Sequence, residues 1–565
     1  MELVAITNGT LFNPFLLKFE EADVIIEDRN VIHIGDVSDF RVDREYNVKG
    51  LYVLPGFIDI HFHIESTFLL PHELSYEIVK HGTLTIVADL HEIVNVFGLE
   101  GVLKLIEISK NLPLTIFYQI PSCVPASEFE DTPNKLGVAE WARLMEEESV
   151  IAVGEVMSYN KLLSRDKELL KLMKLARERN LVIEGHCPRL KGKELSLYAY
   201  LGPNSDHTQM TSELIIERVR KGVFVEIQEK SLTEDVIETL KKLPAGTYAF
   251  VTDDVDAAKL VYEGHLDHIL RKALKLGLEP EKAFYAATLA PANRMRLYDR
   301  GALTPGKIAD VIVVSDLEQL DVIKVFKEGK LIYTKDRGFL INKVSHVSAI
   351  PGKFLSSIKP FKISSKILEV KAPISYGEIN VNVIEVLPHT TFTRKRKETV
   401  KVFNSKVLWE NTSLALAAVF NRYGYERYAL GFVKGAILKK GAIATTYAHD
   451  SHNLLVLGRN VNDMVKAADY VVKGQGGLAV VCDNRLLAYQ KLPVGGIMSL
   501  DNSEKVAKNI ALIRETLYNL GYEHFDPIKS ISTLTLTVSP ELKITPRGLF
   551  DVVENRIINL FEMGN

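Results

Sequence analysis

From Leu51 to Asn293 the chain alternates continuous apolar runs with amphipathic stretches, and no other feature narrows the possible folds as far. The runs are LYVLPGFIDIHFH, TLTIVADLHE, LPLTIFYQIPS, VIAVGEVMS, LVIEGHCP, a short SDH, VFVEIQ and TYAFVTDD. Between them lie helical patterns such as GLEGVLKLIEISKN, DKELLKLMKLARERN and DVIETLKKL. Strands that are apolar on both faces must be covered on both faces, so they predict a parallel sheet flanked by helices. Eight such units in about 240 residues match the size of a TIM-like (β/α)8 barrel. The alternative, an open doubly wound sheet, lacks a GxGxxG after its first strand.

The flanks have a different texture. ELVAITNGTLF and DVIIEDRNVIHIGD before the barrel, and GALTPGKIADVIVVSD and IKVFKEGKLIYT after it, read as short strands joined by turns. Barrel termini tend to lie near each other, so 1–52 and 297–350 are expected to form one small composite β domain. Residues 53–296 form the barrel, and 355–565 a C-terminal α/β domain. A chain of 565 residues accommodates such a division. The basic run TRKRK (393–397) is expected to be a solvated loop.

A formal net charge of -3 offers no electrostatic reason for nucleic acid or an acidic membrane as partner. Three scattered cysteines without a CxxC exclude a disulfide framework and fit a reducing compartment. MELVAITNGTLFNPF lacks the basic start and apolar core of a signal peptide, so the cytoplasm is the expected location. The composition leaves room for a homo-oligomer.

PGFIDIHFHIEST places His61 and His63 two apart at the end of the first strand, where both imidazoles point to one side. In a parallel barrel the C-terminal strand ends share one mouth, where catalytic groups collect. Those ends carry His61 and His63, then Asp89, His91 and Glu92, then Glu155, His186, His207, and finally Asp253 with Asp254. Imidazole and carboxylate are ligands for zinc, iron or manganese. Each residue alone has a structural explanation: backbone N–H groups could satisfy Glu155, His186 could hold a turn, and Asp253 or Asp254 could cap a helix near Val255. Their conjunction on five strand ends favours a metal site.

This pattern resembles the amidohydrolase superfamily, with HxH on the first strand, His on the fifth and sixth, and Asp on the eighth. Glu155 on the fourth strand, where urease-like and hydantoinase-like members carry lysine, argues against those branches. The longer blocks HGTLTIVADLHEIVNVFGLEG, PSCVPAS, EGHCP, AHDSHNLLVLGRNVNDM, GQGGLAVV, LPVGGIMS and SPELKITPRGLFDVV look like the microbial adenine deaminase family, across nearly the whole chain. The chain departs from the family at Thr208, where the family has Glu, and at Gln228-Glu229-Lys230-Ser231, where it reads REGS.

The resemblance implies hydrolytic deamination of adenine to hypoxanthine and ammonia, a step of purine salvage, with two divalent ions. Manganese is the ion the family implies, with iron and zinc as alternatives. It assigns His61, His63, His186 and His207 as imidazole ligands, Glu155 as the bridge, and Asp253 as ligand and proton acceptor, with Asp254 as the fallback. His91 or Glu92 would protonate the ring, and Asp89, Ser122 and Asp254 would line the substrate. His449 and His452 in AHDSHN could reach a metal or serve a turn. The H-x-E…P-C-x-x-C signature of the zinc nucleobase deaminases is absent, so deamination must run on the barrel plan. Two readings compete: hydrolysis of another cyclic amide or purine-like ring, and a non-catalytic purine-binding relative.

Overall fold

The computed structural model describes residues 2–188, 190–359 and 362–562. Strands β1 (Phe57–Phe62), β2 (Thr83–Asp89), β3 (Thr115–Pro121), β4 (Val150–Val156) and β5 (Val182–Gly185) form one parallel sheet in sequence order. Strands β6 (Ser205–Asp206), β7 (Phe224–Ile227) and β8 (Tyr248–Phe250) form a second. Backbone bonds join the two sheets on both sides. Asn204 N donates to Ile183 O at 3.2 Å beside β5, and Asp253 N donates to His61 O at 3.0 Å, closing β8 onto β1. The result is an eight-stranded parallel barrel with helices between its strands, as the alternation of apolar and amphipathic segments predicts.

The apolar run 51–63 is not one strand but two. Tyr52–Pro55 pairs antiparallel with Val311–Val314 and parallel with Thr10–Asn13, while β1 begins at Phe57. Gly56 makes the transition because a Cβ there would meet the Leu84 side chain at 2.6 Å. Segments from both ends of the barrel thus share a seven-stranded sheet, with a four-stranded sheet of residues 3–47 beside it.

From Tyr376 to Lys491 a nine-stranded mixed sheet forms, followed by the helix Ser503–Asn519. The TRKRK run is not a loop: it begins the strand Thr393–Phe403, paired along its length with Tyr376–Val386. Its cations find acids, Arg396 Nε reaching Glu385 on the paired strand at 2.9 Å and Lys395 Nζ reaching Asp551 on a separate three-stranded sheet at 2.8 Å. This C-terminal region packs on the barrel mouth. Ser499 N donates to Phe68 O at 2.8 Å, Asn453 Nδ2 to Asp131 O at 2.8 Å, and the Phe97 and Phe354 rings stack 4.0 Å apart. Among the described residues no helix is long and apolar enough to cross a membrane.

Candidate metal centre and substrate pocket

The two-residue period of β1 brings His61 and His63 to the same rim, with ring centroids 5.0 Å apart. Asp253, just beyond β8, places Oδ1 3.6 Å from His61 Nε2 and 3.3 Å from His63 Nε2. Glu155 stands between two groups of imidazoles. Its Oε1 is 3.6 Å from His63 Nε2, and its Oε2 is 2.6 Å from His186 Nδ1 and 2.9 Å from His207 Nε2. The His61 and His207 rings stack with centroids 3.7 Å apart. All six residues expected as ligands therefore converge.

This donor set fits a divalent metal site. His61 is fully buried, and among the described residues neither of its ring nitrogens has a hydrogen-bond partner and His207 Nδ1 is also unpaired. Leaving such groups unsatisfied costs about 1–3 kcal/mol each, and a cation accepting the lone pairs removes that cost. Ligand atoms of His61, His63 and Asp253, and those of His61, Glu155 and His207, form two groups within 4.8 Å of one another. Donor separations of 3.3–3.6 Å between imidazole and carboxylate are long for hydrogen bonds. They are what neighbouring ligands about 2.0–2.2 Å from a shared ion would show.

The charges are arranged accordingly. Burial alone would raise the Glu155 carboxyl, but His207 and His186 hold it well below the usual range. Burial would likewise raise Asp253, but His61 and His63 hold it well below normal. Asp253 also has φ +59, the left-handed region that Asp tolerates better than most residues.

Asp89 and Ser122, expected to line the substrate, make hydrogen bonds to the backbone of other site residues. Asp89 is buried and accepts from the backbone N–H of His91 (3.0 Å) and of Glu155 (2.9 Å), so it locks two site residues together. Ser122 Oγ donates to the Glu155 carbonyl at 2.9 Å. His91 and Glu92 differ from expectation: they open the helix His91–Ile108 rather than ending a strand. Asp89 ends β2, and the helix start turns both side chains toward the mouth. His91 approaches the metal ligands, its ring 4.9 Å from that of His63. The helix after β8 begins at Ala257, capped by Asp256, which leaves Asp253 and Asp254 free of that duty.

The far side of the mouth comes from the C-terminal region. His449 Nδ1 lies 3.5 Å from Glu92 Oε1 and 3.6 Å from Asp450 Oδ1. His452 Nε2 lies 3.6 Å from Glu92 Oε2, and Asp450 Oδ1 lies 3.8 Å from His91 Nε2. Ser66 Oγ is 3.0 Å from Glu92 Oε1 and 2.7 Å from Asp254 Oδ1, and it accepts from Tyr447 Oη at 3.0 Å. Asp254 also pairs with Lys529 at 3.0 Å. A cavity of about 20 Å³ at Ser66, Asp254, Tyr447 and Lys529 adjoins this corner. A much larger cleft of about 1160 Å³, lined by Thr115, Ser149 and Lys327, lies at the opposite, N-terminal strand ends and holds none of these donors.

Of the departures from the family pattern, two touch the site. Gln228 Nε2 donates to the His207 carbonyl at 2.8 Å, and Lys230 Nζ is 3.7 Å from Asp253 Oδ2. Ser66, Tyr447, Asp450 and Lys529 escaped the sequence reading. Only the polar density of AHDSHN within an apolar region signalled any of them.

The sequence profile of the amidohydrolase family matches residues 52–332, and that of the adenine deaminase C-terminal domain matches residues 390–556. An adenine deaminase of Clostridium perfringens (strain 13 / Type A) is 42% identical, covering 100% of this chain and 99% of its own. Adenine deaminase 2 of Shouchella clausii (strain KSM-K16) is 39% identical, covering 98% of each chain. Similarity at this level from end to end, with barrel and C-terminal region both matched, makes the chain a member of the adenine deaminase family of amidohydrolases.

Proposed function

We propose that the protein hydrolyses adenine to hypoxanthine and ammonia at the barrel mouth. The observation that carries this reading is the set His61, His63, Glu155, His186, His207 and Asp253, all buried except the partly exposed His186, gathered from five strand ends in a chain whose full-length relatives are named adenine deaminases. These six residues would hold two divalent ions, manganese being the pair proposed, with iron and zinc the alternatives. Such ions, when bound, lower the pKa of water toward neutrality and stabilise developing negative charge.

The chain's own groups then divide the proton work. Asp253, held ionised by its histidines, accepts a proton from the attacking water and passes it to the departing amine. As oxygen bonds to C6 and the C6=N1 π bond opens, negative charge builds on that ring nitrogen. Glu92 supplies a proton there and regains one from the new C6 hydroxyl as the exocyclic C–N bond breaks, ammonia leaves and the carbonyl forms. It is fully buried, and burial raises its carboxyl above the usual range despite His449 and His91 nearby. One carboxyl pushed down and one pushed up is the arrangement that separates a base from an acid. His91, fixed by Asp89, sits between the two groups and orients the ring. The segment Tyr447–Asn453 keeps bulk water out.

The domain division stated above is part of the proposal, because it assigns the ligands to the barrel and the covering wall to the C-terminal unit. The test is turnover by chelator-stripped protein given back manganese, iron or zinc, with hypoxanthine and ammonia both measured. Equal amounts of the two products, dependent on added metal, are expected. Ring opening of a cyclic amide with no ammonia from adenine would overturn the assignment.

A further inference from the structure

Asp450 and His449 lie outside the barrel and outside the ligand set, yet they face it. Asp450 is 2% exposed, and its Oδ2 has no hydrogen-bond partner among the described residues. Its Oδ1 is no better served, with His449 Nδ1 at 3.6 Å and His91 Nε2 at 3.8 Å, both beyond hydrogen-bond length. In the same corner Glu92 Oε2 and His452 Nε2 are buried and unpaired. His452 Nδ1 accepts from Ala448 N at 3.4 Å, which leaves its Nε2 as the donor. His449 Nε2 is spent on Tyr447 Oη at 3.1 Å, which leaves Nδ1 facing the corner. A buried wall with unpaired donors and acceptors side by side is built for a ligand that brings both.

We propose that Asp450, with His449 beside it, recognises the N–H edge of the substrate's five-membered ring and so restricts the site to free purine bases. This rests on the adenine reading above. The chemistry of the ring selects the contact. An ionised carboxylate only accepts hydrogen bonds. Adenine has two kinds of N–H: the exocyclic amine, which must sit at the ligand set to be displaced, and the single N–H of the imidazole ring. A carboxylate on the opposite wall therefore has one group to bind. The neighbouring ring nitrogens are lone-pair acceptors, matched by the N–H at His452 Nε2. A substituent on the ring nitrogen removes the hydrogen that Asp450 accepts. It would also have to occupy the space held by Tyr447–Asn453, whose residues are all buried. Nucleosides are excluded on both counts.

The experiment compares kcat/KM for adenine and 9-methyladenine in wild type and D450A, using full-length, metal-replete protein with metal content measured for each. Wild type is expected to favour adenine by about 10⁴-fold, the rejection shown by sites that hydrogen-bond a group the analogue lacks. D450A should raise KM for adenine by about tenfold or more, shrink the preference by at least a similar factor, and keep the wild-type metal stoichiometry. An unchanged preference with adenine turnover intact overturns the proposal while leaving the deaminase reading standing. Loss of a metal equivalent in D450A also overturns it, because the corner would then be a cation site; His91, Glu92 and His449 do lie within 4.8 Å of one another. A wild type inactive on adenine removes both readings. If D450A fails to fold, D450N replaces it: one acceptor oxygen stays, the charge goes, and the preference should fall by a smaller factor. H449A read on the same two substrates checks the pairing.

Discussion

Two walls of one pocket were built by different means. The metal-ligand wall consists of residues at the ends of neighbouring strands, where the barrel's regular geometry delivers side chains to a common rim. The opposite wall, Tyr447–Asn453, arrives from a separate sheet far beyond Asp253 in the chain and is held by contacts such as Asn453 to Asp131 and Thr535 Oγ1 to the His449 carbonyl. On the proposals above, the first wall supplies chemistry that many substrates could use, and the second decides which substrate stays. This difference explains how a shared barrel plan supports one particular reaction.

The strongest break in the comparison is Glu155→Gln. It removes a charge that faces His63 on one side and His186 and His207 on the other. The expected result is a loss of about 10³-fold or more in kcat, the several kcal/mol that a metal centre contributes, together with reduced metal content by elemental analysis. Retention of both metal and rate would show that the two groups of imidazoles do not need the carboxylate between them.

Glu92→Gln sits at the boundary between the walls and should cost about 10²–10³-fold in kcat, the scale of a lost general acid, with metal content unchanged. The sign of its pH dependence follows from the raised carboxyl. Glu92 must carry a proton to act, so wild-type kcat holds at low pH on this account and falls as pH rises through the Glu92 pKa. That alkaline limb should be absent from the pH profile of the variant.

Asp89→Asn tests the support behind the ligand wall. Asp89 binds the backbone N–H groups of both His91 and Glu155, and replacing such a support typically lowers metal affinity or activity by about 10–100-fold. Metal titration of the stripped variant reads this directly. Weakened activity with undisturbed metal affinity would place the effect on His91 rather than Glu155.

The smallest effect lies away from both walls. Lys543 is fully buried on the strand Leu542–Thr545, donates to Thr391 O at 3.3 Å, and burial pulls its ammonium down to about 7. The unfolded chain binds this proton up to about pH 10.4, so between those values the unfolded state holds more protons. Stability attributable to this residue therefore rises with pH from 7 upward, and its penalty is complete below 7. Lys543→Met should stabilise the protein by about 1–3 kcal/mol at pH 6, less at pH 9, with no change in turnover. Thermal melts at the two pH values check it.

The barrel and the imidazoles and carboxylates that gather at its mouth were legible in the sequence because both obey short-range rules. Strand periodicity set the direction of His61 and His63, and the ends of apolar runs marked where Glu155, His186, His207 and Asp253 would emerge. Boundaries one step finer were not legible. The run 51–63 hides a break at Gly56 that exists only because Leu84 packs there, and His91 and Glu92 belong to a helix whose start is set by Asp89. TRKRK looked solvated because a basic run does not show which strand it will pair with, and because Asp551, the partner of Lys395, is remote in sequence.

By itself, then, the order of residues determined the fold class and the metal-binding chemistry, since periodicity and ligand type are local properties. Only tertiary structure decided that Ser66, Tyr447, His449, Asp450 and Lys529 share the pocket. Their meeting depends on how the C-terminal sheet docks on the barrel mouth, and docking is governed by shape and buried contacts between segments that carry no common pattern along the chain.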